Sequence, residues 1–194
     1  MQDFIAGELR KTASVIGALV ADAELARTIE TVARLCVKAL RDGNKILLAG
    51  NGGSAADAQH LAAELVSRFY FDRPGLPAVA LTTDTSALTA IGNDYGFERL
   101  FSRQVDALGR KGDVFIGLST SGNSPNILKA LDEARLKGLV TVGLTGQGGG
   151  RMAALCDHCL RMPSSETPRI QEGHIVVGHT VCALIEREMF ARPK

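Results

Sequence analysis

Apolar residues recur at helical spacing in two successive segments at the beginning of the chain. Their interval is close to the 3.6 residues of a helical turn. The first segment carries Phe4, Ile5, Leu9, Ile16, Leu19 and Val20, and the second carries Leu25, Ile29, Val32, Cys36 and Leu40. The pattern predicts two leading helices, and the second ends near Gly43, since glycine is typical just past a helix C-terminus.

The rest of the chain alternates short apolar runs with helical or turn-rich segments. Five runs read as buried strands, at residues 46–49, 78–81, 114–118, 140–144 and 159–162. Continuous apolar strands with helical crossovers are typical of a parallel sheet covered on both faces. The sequence therefore predicts an α/β fold, a flavodoxin-like three-layer α/β/α sandwich with a five-stranded parallel sheet. A last helix is expected at about residues 169–190, after the 163–168 loop.

The length of 194 residues lies within the range of one domain. The sequence contains no internal repeat or linker, so we expect a single domain over residues 1–194, with residues 1–42 as a helical extension packed on it. Lys and Arg number 22 against 21 Asp and Glu, which leaves no broad basic field for nucleic acid. Any anionic ligand must be held locally.

The N-terminus carries Asp3 and Glu8 in its first turns and lacks the basic start and apolar run of a signal peptide. No stretch approaches the roughly 18 consecutive apolar residues of a membrane helix. We expect a cytoplasmic protein without a membrane partner.

The cysteines Cys36, Cys156, Cys159 and Cys182 are predicted to be thiols. Cys156 and Cys159 resemble half a zinc ribbon, but without a second C-x-x-C we expect them to pack as small hydrophobes.

A glycine-rich loop follows the first predicted strand and opens a helix. It reads Gly50-Asn51-Gly52-Gly53-Ser54. Glycines allow close backbone approach to a ligand, and a helix N-terminus offers free N–H groups to an anion. With Ala55 the loop also fits G-x-G-x-x-A, and Asp84 follows the second strand, so a dinucleotide site is an alternative interpretation.

A hydroxyl-rich loop follows the third predicted strand. It reads Ser119-Thr120-Ser121-Gly122-Asn123-Ser124-Pro125, with Ser124 at the N-cap and Pro125 at the first helical position. A helix start needs one capping serine, whereas this loop crowds four hydroxyls together. Hydroxyls added to the N–H groups of a helix end make a phosphate site without Lys or Arg. Neither loop continues as G-K-[ST], which excludes a Walker-type nucleotide site.

Two helices carry further candidate side chains. His60 and Glu64 are four residues apart after the first loop, so they share one helix face. Such a pair can ligate a metal or act as acid and base, and Gln171 and His179 on the last helix could join it. A single histidine on an amphipathic helix is more often structural, which also applies to His158 and His174. Residues 92–96, with Asn93 and Asp94, are predicted to form a turn that could contact substrate.

These motifs together resemble the phosphoheptose isomerases of the SIS (sugar isomerase) family. The resemblance rests on the two loops, on Arg169-Ile170-Gln171-Glu172 and on Arg73-Pro74-Gly75-Leu76-Pro77, and it covers essentially the entire chain. It implies a zinc cofactor, homotetramers with sites at subunit interfaces, and a sugar phosphate as ligand. It implies that zinc is bound by His60, Glu64, Gln171 and His179. It also implies substrate contacts from Asn51, Gly52, Gly53, Ser54, Glu64, Asn93, Asp94, Ser119, Thr120, Ser121, Ser124 and Gln171.

The implied reaction converts sedoheptulose 7-phosphate to D-glycero-D-manno-heptose 7-phosphate, the first step toward ADP-heptose and the lipopolysaccharide core. Moving a proton between C1 and C2 through an enediol needs a base near the carbons and help for the oxyanion. We expect Glu64 to be the base and His179 to shuttle protons between O1 and O2. Metal-bound groups are poorer bases, so either coordination loosens when sugar binds or the metal is partly structural. The alternative is a non-catalytic, replication-initiator-associating SIS protein, in which the position of Glu64 is not acidic.

Overall fold

The computed structural model describes residues 1–190 and contains one five-stranded parallel sheet. The strand order is β2-β1-β3-β4-β5, and every neighbouring pair is parallel. The strands are β1 (Ile46–Ala49), β2 (Ala78–Ala80), β3 (Val114–Leu118), β4 (Val140–Thr145) and β5 (His158–Arg161). The predicted sheet is confirmed, with boundaries that agree to within one residue.

Helices connect the strands and precede the sheet. They are α1 (Gln2–Ala21), α2 (Ala23–Arg41), α3 (Gly53–Val66), α4 (Thr85–Tyr95), α5 (Ser102–Leu108), α6 (Pro125–Leu136), α7 (Met152–Leu155) and α8 (Thr167–Phe190), with a 3₁₀ turn at Phe97–Arg99. The two predicted leading helices are confirmed, and α8 begins two residues earlier than predicted. Asp22 separates α1 from α2, and its carboxylate accepts from the N–H groups of Glu24 and Leu25.

The sheet has a packed layer of helices on each face, as the continuous apolar strands predict. Successive strand residues point to opposite faces, so Leu48 packs with α2, α3 and α8 while Leu47 packs with α5 and α6. The cysteines follow the predicted pattern: all four are free thiols. Burial raises the pKa of Cys36 and of Cys182 to about 12, so both behave as small apolar residues.

One prediction was wrong: residues 92–96 do not form a separate turn. Residues 92–95 are the last turn of α4, which ends at Tyr95 before Gly96. The Asp84 carboxylate caps the start of α4 by accepting from the N–H of Ala87. A glycine inside a helix costs only about 1 kcal/mol relative to alanine, so α4 continues through Gly92.

The strand order creates a crevice at the carboxyl edge of the sheet. β1 and β3 are neighbours, but the chain leaves β1 toward α3 on one face and leaves β3 toward α6 on the other. Loops that diverge in this way leave a gap between them, and this switch point is where ligands bind in such folds. The two motif loops of the sequence therefore flank the same crevice. Among residues 1–190, none of the helices combines the length and apolarity required to cross a membrane.

Candidate active site

The first loop ends in a helix start that no side chain caps. The N-cap of α3 is Gly52, which has no side chain that could cap the first turn. The N–H groups of Ser54 and Ala55 donate to the carbonyls of Asn51 and Gly52, and the positive end of the helix dipole still favours an anion at this position. Ser54 lies within this first turn and is 4 % exposed. The loop after β1 therefore places a helix N-terminus at the crevice.

The second loop gathers three serine hydroxyls. Ser119 Oγ lies 2.8 Å from Ser124 Oγ and 3.4 Å from Ser121 Oγ. Ser124 occupies the N-cap of α6 as predicted, but its hydroxyl turns toward Ser119 and does not cap the helix. Ser121 Oγ also accepts from the N–H of Asn123 at 3.1 Å. The hydroxyls and the start of α6 converge, which is the arrangement that a tetrahedral oxyanion needs.

The two loops are tied together by a pair of side-chain amides. Asn51 Nδ2 donates to Asn126 Oδ1 at 2.9 Å, and Asn126 Nδ2 donates to Asn51 Oδ1 at 2.8 Å. Asn126 is 2 % exposed, in the first turn of α6. The sequence interpretation did not single it out, although a polar residue next to the helix start was visible. Because its amide is engaged here, Asn51 offers a ligand its backbone in this geometry.

Two histidines and a glutamate converge on the outer side of α3 and α8. His60 Nε2 lies 3.1 Å from Glu64 Oε1 and 3.2 Å from His179 Nε2. The ligand atoms of all three residues lie within 4.8 Å of one another. One proton on His60 Nε2 can bridge only one of these two gaps at a time, whereas a single cation can contact all three lone pairs. The group therefore fits a metal ion, and its imidazole and carboxylate donors suit a divalent one.

Close contact between α3 and α8 produces this convergence. Gly178 faces Leu61, and a Cβ at Gly178 would lie 2.6 Å from the Leu61 methyl carbons. A larger residue would push α8 away from α3 and separate His179 from His60. The phenyl ring of Phe69 then covers His179, with ring centroids 5.5 Å apart. Phe69 is a wall of the site that sequence reasoning missed, since it lies in the loop beyond α3.

Gln171 enters the site at the other end of α3. Its side-chain amide lies over Gly53, so close that a Cβ there would be 2.5 Å from Nε2. The amide is thus next to the first turn of α3, and His60 follows about two turns further along the helix. The structure brings His60, Glu64 and His179 into one group and places Gln171 beside the glycine loop.

Asp57 is a further acidic residue on α3 that the sequence interpretation missed. It stands one helical turn before Leu61, between Gly53 and His60, and its Oδ2 is buried without a hydrogen-bond partner among the described residues. Burial raises the pKa of the Asp57 carboxyl, and nearby His60 opposes the rise. Its i, i+3 spacing to His60 was the available signal.

Asp84 and the Asn93–Asp94 pair lie at the two ends of α4 and are not members of the group formed by His60, Glu64 and His179. Asn93 Nδ2 donates to Asp94 Oδ1 at 2.8 Å, and both side chains are exposed. Asp94 lines a groove of about 470 Å³ together with Asp84 and Tyr95, beside the β2 edge of the sheet. The carboxylate of Asp84 caps α4, so it is already engaged where a dinucleotide site would require it for a ribose.

Comparison with known proteins agrees with the fold and with the predicted family. Residues 12–146 match the family model described as "SIS domain". Phosphoheptose isomerase from Aneurinibacillus thermoaerophilus is 63% identical over 190 residues, which are 98% of this chain and 96% of that protein. The solved phosphoheptose isomerase from Neisseria gonorrhoeae is 45% identical with a TM-score of 0.89, covering 95% of this chain and 98% of its own. The corresponding structure from Francisella tularensis is 38% identical with a TM-score of 0.91, covering 96% and 98%.

The chain therefore belongs to the SIS-domain family. Within that family it belongs with the phosphoheptose isomerases, because the likeness extends over nearly the full length of both chains. The resemblance predicted from the two loops is confirmed.

Proposed function

We propose that the protein isomerises sedoheptulose 7-phosphate to D-glycero-D-manno-heptose 7-phosphate through an enediol. The observation that carries the proposal is the convergence of Glu64 and His179 from different helices. One side-chain oxygen or nitrogen from each of these residues and from His60 lies within 4.8 Å of the other two. An aldose–ketose isomerisation needs a base near C1 and C2 and a group that moves protons between the oxygens, and a carboxylate with an imidazole can supply both. The phosphoheptose isomerase relatives support the choice of a seven-carbon sugar phosphate.

The phosphate is assigned to the hydroxyl-rich loop. The Ser119, Ser121 and Ser124 hydroxyls and the start of α6 would donate to its oxygens, with Thr120 in the same loop. The backbone of Asn51, Gly52, Gly53 and Ser54, with the Gln171 amide above Gly53, would hold the sugar hydroxyls. Asn93 and Asp94 are also assigned to the substrate, on the resemblance alone. This arrangement fixes one end of the sugar and leaves its carbonyl end for α3 and α8.

Glu64 and His179 are assigned the proton transfers. Glu64 removes a proton from C1 of the ketose, and the C1–H electron pair forms the C1–C2 double bond of the enediol. His179 supplies a proton to O2 and removes the proton from O1. The Glu64 carboxyl, 24% exposed, exchanges its proton with solvent and then protonates C2. Atoms and charge balance, because the product is an isomer of the substrate.

Zinc is the proposed cofactor. His60, Glu64 and His179 would hold it, and Gln171 is the proposed fourth ligand after movement of its amide from Gly53. When bound, zinc would polarise the substrate carbonyl as a Lewis acid. Two imidazoles and a carboxylate are a ligand set that zinc accepts.

A homotetramer in the cytoplasm is proposed as the working form. The support is the surface of α1, on which Phe4, Leu9 and Val20 are 71%, 66% and 84% exposed. Large apolar side chains that stay exposed on one helix support the burial of that helix against another chain. Light scattering after size exclusion tests the assembly, and a mass of one chain would contradict it.

Incubation with sedoheptulose 7-phosphate tests the function. The expected result is an aldose 7-phosphate detected by NMR, formed by the wild-type protein and not by Glu64→Gln. Absence of an aldose would contradict the proposal and favour the non-catalytic, replication-initiator-associating alternative. Metal analysis of the same wild-type sample tests for zinc.

A further inference from the structure

A buried ion pair links the loop after α3 to α8. Arg73 Nε lies 3.0 Å from Glu186 Oε1, and the two side chains are only 2% and 1% exposed. Burying two charges is costly unless hydrogen bonds satisfy all of their polar atoms. Among the described residues, neither side chain hydrogen-bonds to the side chains of His60, Glu64 or His179, so the pair needs another explanation.

Arg73 holds the C-terminal end of α3. Its Nη2 donates to the carbonyl of Glu64 at 2.8 Å, and its Nη1 donates to the carbonyl of Leu65 at 2.6 Å and to that of Ser67 at 3.1 Å. The last carbonyls of a helix lack intrahelical donors, and a positive charge is favourable there. Arg73 therefore fixes the backbone of Glu64 itself.

Glu186 holds the loop that follows α3. Its Oε1 accepts from the N–H of Phe69 at 2.9 Å, and its Oε2 accepts from the N–H of Tyr70 at 2.7 Å. Burial alone would raise the pKa of this carboxyl, but the two N–H groups and Arg73 outweigh burial and lower it. The carboxylate is thus charged and saturated with donors at neutral pH.

Glu186 is connected to His179 in two ways, along α8 and through Phe69. Glu186 follows His179 by seven residues, which places the two side chains on the same stripe of α8 about two turns apart. Phe69, whose backbone Glu186 holds, packs its ring against His179 with centroids 5.5 Å apart. The ion pair thus connects the Glu64 backbone on one side with the wall of His179 on the other.

We propose that Arg73 and Glu186 are positioning residues that set the geometry between Glu64 and His179. The proposal rests on the proposed isomerase function for its kinetic consequence. A displacement of about 1 Å at reacting groups can cost on the order of 10²-fold in rate. The hydroxyl-rich loop that is assigned to the phosphate lies between β3 and α6, and neither Arg73 nor Glu186 hydrogen-bonds to it in the described residues.

The test compares variants of the pair by steady-state kinetics. Glu186→Gln is expected to lower kcat about 10-fold to 100-fold with little change in KM. Arg73→Lys keeps the charge but has three donors in place of five, so it should retain more activity than Arg73→Met. If Glu186→Gln does not fold, the comparison of Arg73→Lys with Arg73→Met carries the same test.

A second, partly buried ion pair supplies a control. The Asp113 carboxylate is 1% exposed, pairs with Lys45 Nζ at 2.6 Å, and accepts from the N–H groups of Lys45 and Arg110. It lies at the opposite, amino-terminal edge of β1 and β3. Asp113→Asn should lower the unfolding temperature as Glu186→Gln does, yet leave kcat unchanged.

A measurement on the metal-free protein separates this proposal from the proposed function. The ring-nitrogen NMR signals of His60 and His179 report their mutual geometry whether or not the protein turns over a sugar. Glu186→Gln should shift the His179 signals, and Asp113→Asn should not. Unchanged signals, or equal losses of kcat in the two variants at equal loss of stability, would overturn the positioning role. If the wild type is inactive but Glu186→Gln still shifts the His179 signals, the isomerase function is refuted and the positioning role stands.

Discussion

The Nε2 atoms of His60 and His179 lie 3.2 Å apart although the residues are 119 positions apart in the chain. Their rings meet edge to face, with centroids at 4.9 Å and an interplanar angle of 65°. Two imidazoles in this arrangement, with Glu64 beside them, make a group that can hold a cation or pass protons. The predictions for Glu64, His179 and His60 depend on this geometry.

Glu64→Gln should abolish turnover while the sugar phosphate still binds. The amide has the size of the carboxylate but cannot accept the C1 proton, and general base catalysis is worth about 10²–10⁴-fold. Turnover and binding are measured separately by NMR and calorimetry. Glu30→Gln is the matched control, because Glu30 also forms an i, i+4 pair, with exposed Arg34. A Glu64→Gln enzyme of near-normal rate would remove Glu64 from the chemistry.

His179→Gln should likewise reduce kcat by about 10²-fold or more, because the proton shuttle between O1 and O2 is lost. His158→Gln, at the start of β5, serves as control and should keep normal activity. Rapid-quench kinetics at saturating substrate distinguishes slow chemistry from weak binding. If His179→Gln changes only KM, the shuttle role is refuted.

Ser119→Ala should weaken binding of the substrate and of inorganic phosphate. Ser119 Oγ is 2.8 Å from Ser124 Oγ, so its loss disturbs two donors of the proposed cradle. A hydrogen bond to a charged group contributes about 1.5–3 kcal/mol, which corresponds to a rise in KM of roughly 10-fold or more. Ser102→Ala, at the half-buried start of α5, is the control. Equal KM values for the two variants would place the phosphate elsewhere.

His60→Ala should reduce the content of bound zinc. His60 Nε2 contacts both other members of the group, so its removal leaves Glu64 and His179 with one ligand fewer. Elemental analysis after dialysis measures the metal, with His158→Ala as control. Full zinc content in His60→Ala would show that the metal binds at another site.

The stability of the fold should decline as the pH falls from 6.5 to about 4. His174 is fully buried, and burial lowers the pKa of its ring from 6.5 to about 4. The unfolded chain therefore takes up the proton first, and the stabilisation present above pH 6.5 is lost over this window. The loss amounts to about 3 kcal/mol at 1.36 kcal/mol per pKa unit. Denaturant titrations of wild type and His174→Phe measure it; parallel pH profiles would contradict the assignment.

The sheet could be predicted from the sequence because its strands are uninterrupted apolar runs. Residues 46–49 and 114–118 were predicted with the observed bounds, since buried strands need no polar alternation. The last strand starts one residue earlier than predicted, because His158 is polar yet half-buried. The end of α4 was missed because glycine weakens a helix without forbidding it.

The site was predictable only as separate motifs. Local spacing placed His60 with Glu64, but their meeting with His179 depends on how closely Gly178 allows α8 to approach Leu61. Asn126 and Glu186 carry no chemical motif, and only the folded chain shows what their side chains hold. Tertiary contacts of this kind leave little trace in one sequence.

Solvent-proton exchange tests the central claim most directly. Wild-type protein is mixed with sedoheptulose 7-phosphate in D₂O, and the product is analysed by NMR. The account predicts an aldose 7-phosphate carrying deuterium at C2, formed by the wild type and by the Asp113→Asn control, and absent with Glu64→Gln. An aldose formed at the same rate by Glu64→Gln, or no aldose from the wild type, would contradict it.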